Sequence, residues 1–112
     1  MLKINIIGAG LAGSEAALYL ANKGYKVNLF EIKTKAKTPA HHSNNFAEIV
    51  CSNSFKSDDE NSAAGLFKRE LLMLGSTLIK TAYDFKVPAG QALAVDREKF
   101  SAHITALLKS NK

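Results

Sequence analysis

KINIIGAGLAGSEAALYL, residues 3–20, runs through three patterns in succession. Lys3–Ile7 is β-branched and bounded by glycine, so it reads as a short buried strand. Gly8-Ala9-Gly10-Leu11-Ala12-Gly13 is G-x-G-x-x-G. From Leu11 to Lys23, Ala12, Ala16 and Leu20 recur at helical spacing with Ala17 and Ala21 beside them, and Gly24 stops the helix as a C′ residue. Tyr25–Ile32 (YKVNLFEI) is a second strand. Strand, helix and strand fit within the roughly 30 residues of one βαβ unit.

That context turns a common glycine motif into a nucleotide fingerprint. Gly8 allows a sharp turn, Gly10 lets backbone touch a pyrophosphate, and Gly13 lets helix and strand pack closely. The phosphates meet the free N–H groups and positive end of the helix. Glu31, roughly 20 residues further on, accepts hydrogen bonds from the ribose hydroxyls. An acid at that place disfavours a 2′-phosphate, so NADP fits poorly, while FAD and NAD both remain open.

Downstream the pattern changes. Residues 33–61 are polar and read as a long loop with a short helical turn at Asn45–Val50. Ser62–Tyr83 carries apolar residues at 63, 66, 67, 71, 74, 78 and 82, a helical stripe that Gly75 breaks or kinks. Alternation over 77–87 leaves a strand there as a second reading. Pro88-Ala89-Gly90 is a turn, and Ala92–Val95 is a short apolar candidate for a third strand. Asp96 caps a last helix, Arg97–Lys109, with Phe100, Ile104, Leu107 and Leu108 on one face.

The bulk numbers bound the class. The chain has 112 residues, 46% hydrophobic and 22% charged, which suits one small globular domain. A single cysteine excludes an internal disulfide and favours a reducing, cytoplasmic setting. No apolar run approaches the ~20 residues of a membrane span, so no membrane partner is expected. A net charge of +5 permits RNA or another polyanion without requiring it.

Three stretches together carry a family likeness: GAGLAGSEAA, TPAHHSNNFAEIVCSNSF and VPAGQALAVDREKFS. They resemble the folate- and FAD-dependent RNA uracil-5-methyltransferases over nearly the whole chain. GidA-type flavoproteins share that fold but differ around the cysteine. The resemblance implies an α/β fold, the N-terminal part of a Rossmann-like FAD-binding domain with an incomplete sheet. Its parts are a βαβ unit (1–32), an active-site loop (33–61) and a helical segment (62–112) inserted at the active site. It also implies FAD as cofactor, with NAD(P)H reducing it and methylenetetrahydrofolate donating a one-carbon unit to C5 of a uridine in tRNA. A ribosomal RNA target and a stand-alone nucleotide-binding module without catalysis are the alternatives. Family members are several times longer, so the chain is expected to be an N-terminal fragment, inactive alone, whose partner is the remaining C-terminal part of the enzyme.

The other candidates follow from these readings. Gly8, Ala9, Gly10, Leu11, Ala12, Gly13 and Glu31 are the expected cofactor-binding residues. Cys51 is the expected catalytic residue, as a nucleophile or a flavin-facing thiol, against the plainer reading of a buried filler. Its polar surroundings (His41, His42, Ser52, Asn53, Ser54) place it on a loop beside the flavin ring. No metal is expected, because adjacent histidines diverge and no third ligand has useful spacing. Lys33, Lys35 and Lys37 approach phosphate or form a solvated edge. His103 reads as a half-buried core histidine, and Asp96-Arg97 as a helix cap with a neighbouring cation, a segment that the resemblance implies borders the active-site layer.

Overall fold

A computed structural model describes residues 2–33, 43–50 and 52–110. The opening is a βαβ unit: β1 (Lys3–Ile7), α1 (Leu11–Asn22) and β2 (Lys26–Phe30). The two strands are parallel, from Lys3 beside Lys26 to Ile7 beside Phe30. Helix α1 ends in a Schellman motif: Tyr25 N–H donates to the Leu20 carbonyl at 3.1 Å and Gly24 N–H to Ala21 at 3.0 Å. Gly24 supplies the required left-handed residue, at φ +90°.

The strand at Lys3–Ile7 is not buried as a whole. Both strands alternate between exposed and half-covered residues, because the described helices cover one face only. Ile7 is 89% and Phe30 54% exposed on the other face. The buried face of α1 is also rotated from the expected stripe. It carries Ser14, Ala17 and Leu18, while Ala12 is exposed and Ala16 and Leu20 are half-buried.

The second region is built differently. Three strands, β3 (Ser54–Ser57), β4 (Lys86–Val87) and β5 (Ala92–Val95), form an antiparallel sheet in the order β3-β5-β4. Ala92–Val95 therefore pairs with its own region and adds no third parallel strand to the first sheet. The segment 62–112 is accordingly not helical throughout, and the expected loop 33–61 contains a strand. Residues 44–47 make bends rather than a helical turn. The long helical stripe is two helices, α2 (Ala63–Met73) and α3 (Thr77–Asp84), parted at Gly75 with φ +88°. The strand reading of 77–87 fails except at Lys86–Val87. Ser62 and Ser76 cap the two helices, accepting from the amides of Gly65 at 3.0 Å and Ile79 at 3.1 Å. Asp96 caps α4 (Arg97–Ser110) as expected, taking the Lys99 amide at 3.2 Å.

One core gathers around α4 and β5: Leu78, Ala82, Leu93, Val95, Phe100 and Ile104, joined by Leu18 from α1 and by Ala47 and Ile49. Phe55 meets Phe100 edge-on at 5.5 Å. The outer residues of α2 and its C-cap depart from the expected stripe, with Leu66, Phe67 and Leu74 more than half exposed. The face of α2 that is buried holds Gly65 and Lys68. His103 is exposed, not half-buried, and its ring lies 5.4 Å from that of Phe85. Among the described residues no helix is long and apolar enough to cross a membrane.

Candidate functional site: the glycine turn and its acid

The turn between β1 and α1 and the acid after β2 meet at the C-terminal edge of the parallel pair, where open α/β sheets hold their ligands. Gly8 sits at φ +97° and its amide extends the ladder to the Phe30 carbonyl at 2.7 Å. A Cβ on Gly13 would stand 1.8 Å from the Gly8 carbonyl oxygen, so this glycine is required for helix and turn to touch. A Cβ on Gly10 would meet no atom within 4 Å. Gly10 is the N-cap of α1, and no side chain caps that end. The first turn of α1 carries no acidic residue. The helix therefore presents its N–H groups and positive end to open space, an arrangement that suits a diphosphate.

Glu31 lies at this edge. Its Oε1 accepts from the Ala9 amide at 2.8 Å, and its Oε2 accepts from the Lys33 amide at 2.9 Å. Burial pushes the carboxyl up, but these hydrogen bonds and the Lys33 charge together hold it below its usual value. The group is an ionised acceptor, with lone pairs beyond those used by the two amides.

The segment 43–50 closes on the turn from the other side. The Ala47 amide donates to the Ala9 carbonyl at 2.8 Å, and Ser14 Oγ donates to the same oxygen at 3.2 Å. Ala47 is fully buried at φ +53°. Phe46 N–H reaches Thr105 Oγ1 on α4 at 2.8 Å. Lys33 is neither solvated nor aimed at a phosphate: it is buried and ion-paired with Glu48 at 2.7 Å. Cys51, His41, His42, Lys35 and Lys37 lie outside the described residues.

Two polar groupings were not singled out from the sequence. Glu15 on α1 receives Ser76 Oγ and the Thr77 amide (3.0 Å), so it holds the start of α3. Asp58 receives Arg69 Nη1 at 3.0 Å and the Tyr83 hydroxyl, with Lys86 Nζ at 3.4 Å. Each joins elements far apart in the chain, so neither left a local pattern to read.

A glycine-rich turn leading from a strand into an uncapped helix, with an acid closing the next parallel strand, defines a nucleotide-binding protein of the Rossmann class. Residues 3–112 match the family described as Glucose inhibited division protein A. The chain belongs to that family, and its fold is the opening part of a Rossmann-like FAD-binding domain with an incomplete sheet. It is also similar to proteins named methylenetetrahydrofolate–tRNA-(uracil-5-)-methyltransferase TrmFO. The relative from Sulfurihydrogenibium is 56% identical over 98% of this chain and 25% of its own length. Those from Acholeplasma laidlawii and Fusobacterium nucleatum are 58% and 56% identical over 97% and 98% of the chain. The chain thus spans about a quarter of the length of the curated relatives it matches.

Proposed function

We propose that this chain is the nucleotide-holding part of a flavoenzyme that transfers a one-carbon unit from methylenetetrahydrofolate to C5 of a uridine in tRNA. The observation that carries the reading is the open cradle at Gly10, set between the uncapped start of α1 and Glu31. The relatives' names supply the reaction class.

In this reading the turn Gly8–Gly13 receives the pyrophosphate of FAD. Ala9, Leu11 and Ala12 contribute backbone rather than side chains to that turn, and Gly10 keeps the approach clear. Glu31 accepts from the ribose hydroxyls through its unused lone pairs. Bound FAD supplies the electron transfer that the reaction needs. Cys51 is given its role on sequence alone, as the thiol serving the flavin and uridine chemistry: a thiolate adding at C6 of a uracil turns C5 into a nucleophilic carbon. Folate, NAD(P)H and the RNA would engage the three quarters of the relatives' length beyond this chain, and the assembled enzyme would work in the cytoplasm.

The test is flavin content. Produced together with the C-terminal remainder found in its relatives, the protein should be yellow and should prefer FAD to NAD in titration. Gly10→Val should abolish binding while the circular dichroism spectrum stays unchanged, since a Cβ at this position meets no protein atom within 4 Å. A colourless protein that binds only NAD, or a Gly10→Val protein that binds FAD normally, overturns the reading.

A further inference from the structure

Lys33 and Glu48 form an ion pair with little solvent around it, their side chains 6% and 11% exposed. A buried pair of this kind is a poor source of stability, because desolvation offsets most of the attraction. Its connections suggest another role. Lys33 binds at both ends: its amide donates to Glu31 Oε2, and its Nζ donates to Glu48 Oε1 and to the Asn45 carbonyl, each at 2.7 Å. Glu31 in turn receives Ala9 N–H, and Ala9 O receives Ala47 N–H. The path closes on itself. The acid, the glycine turn and the segment 43–50 are tied together through the two sides of the Ala9 residue and the two ends of Lys33.

Ala47 gives a second, independent sign that this segment is held in place. A non-glycine residue at φ +53° is disfavoured and persists only when its surroundings fix it. The described contacts that fix it are the hydrogen bond to Ala9, the core around it, and the ion pair one residue further along.

We propose that the Lys33–Glu48 pair is a latch that holds segment 43–50 against the nucleotide turn and fixes the Glu31 carboxylate in its ribose-accepting position. Both are positioning residues rather than catalytic ones. The second half of this proposal rests on the flavin reading above, and the first half does not. Opening the latch frees the Lys33 backbone, which loosens Glu31, and releases the cover over Ala9.

Two readouts separate the latch from the flavin reading. The first is amide exchange of the chain without any ligand. In Lys33→Met and in the double variant Lys33→Met/Glu48→Gln, the Ala9 and Ala47 amides should exchange on the order of tenfold faster, while the β5 amides stay protected. The double variant removes both charges of the pair, so it keeps the test alive where the single one does not fold. The second readout is FAD affinity beside the C-terminal remainder, expected to fall by about tenfold in the double variant. Lys33→Arg, which keeps the cation, should restore both. Unchanged Ala9 and Ala47 exchange in a folded double variant overturns the latch. Faster exchange with unchanged FAD affinity overturns its link to Glu31. If the unsubstituted protein binds no flavin, the flavin reading fails while the exchange result still decides the latch.

Discussion

The βαβ opening and the region from Ser54 onward solve the problem of burial in opposite ways. In the second region β5 lies between β3 and β4, and Leu93, Val95, Phe100 and Ile104 show no measurable exposure. In the first, α1 covers one face of a two-stranded sheet, and the buried side chains of the glycine turn and α1 are few and mostly small: Ala9, Ser14, Ala17 and Leu18. Yet the first region carries the glycine turn. The candidate site therefore sits on the part with less core of its own. It is held by what crosses over: Leu18 into the common core, Glu15 onto the start of α3, and segment 43–50 onto Ala9. The glycine turn is thus mechanically dependent on contacts from outside the βαβ unit that carries it.

The strongest way to break this contrast is to empty the shared core. Phe100→Ala should cost about 3–5 kcal/mol, the usual range for a large buried side chain. Because the first region leans on that core, amide protection in β1 and β5 should be lost together. Loss confined to β5 would show that the βαβ unit stands alone.

Gly13→Ala attacks the other side. Its Cβ would lie 1.8 Å from a backbone oxygen, with no flexible side chain to yield. A loss of about 3 kcal/mol in thermal denaturation is expected, at the upper end of overpacking costs. Gly10→Ala, three residues away, should leave the melting temperature nearly unchanged. Equal effects at the two glycines would mean that the turn is not divided into a packing position and an approach position.

Glu15→Ala sharpens the coupling between the regions. It strips an acceptor from Ser76 and from the Thr77 amide, for an expected loss of about 1–2 kcal/mol. Exchange at the start of α3 should rise first. A uniform change across the molecule would argue that Glu15 acts through α1 instead.

Acid gives the smallest and most graded effect. Burial tends to raise both Glu31 and Asp58, but their partners hold them below their usual 4.5 and 3.8. A carboxyl depressed in the folded state stabilises it above the unfolded value, and that contribution fades as pH falls through the folded value. Stability should thus be flat near neutrality and decline below about pH 4.5. Glu31→Gln and Asp58→Asn should each flatten part of the decline. An unaltered acid limb in both would contradict the direction of these shifts.

The local chemistry of the chain was enough to locate the turns and the motif. Glycine at 24 and 75, aspartate at 96, and the spacing of the G-x-G-x-x-G loop act within a few residues of themselves. They marked helix ends and the βαβ unit before any contact was known. Periodicity marked which segments are helical and the buried face of α4, where Phe100 and Ile104 lie in the core, but it did not reveal the buried face of α2. Helix α2 turns Gly65 and Lys68 inward rather than Leu66 and Phe67, and His103 on α4 is exposed. Partner choice was beyond reach as well. Ala92–Val95 looks the same whether it extends a parallel sheet or pairs with Ser54–Ser57, and only the course of the chain settles it. The sequence by itself determined the glycine turn, the acid after the second strand and the family, because those depend on residue types at short fixed spacing. The tertiary structure decided that Lys33 is buried against Glu48, that Glu15 holds α3, and that segment 43–50 covers Ala9. Those pairings join residues distant in the chain, where hydrogen bonding and desolvation depend on the whole fold.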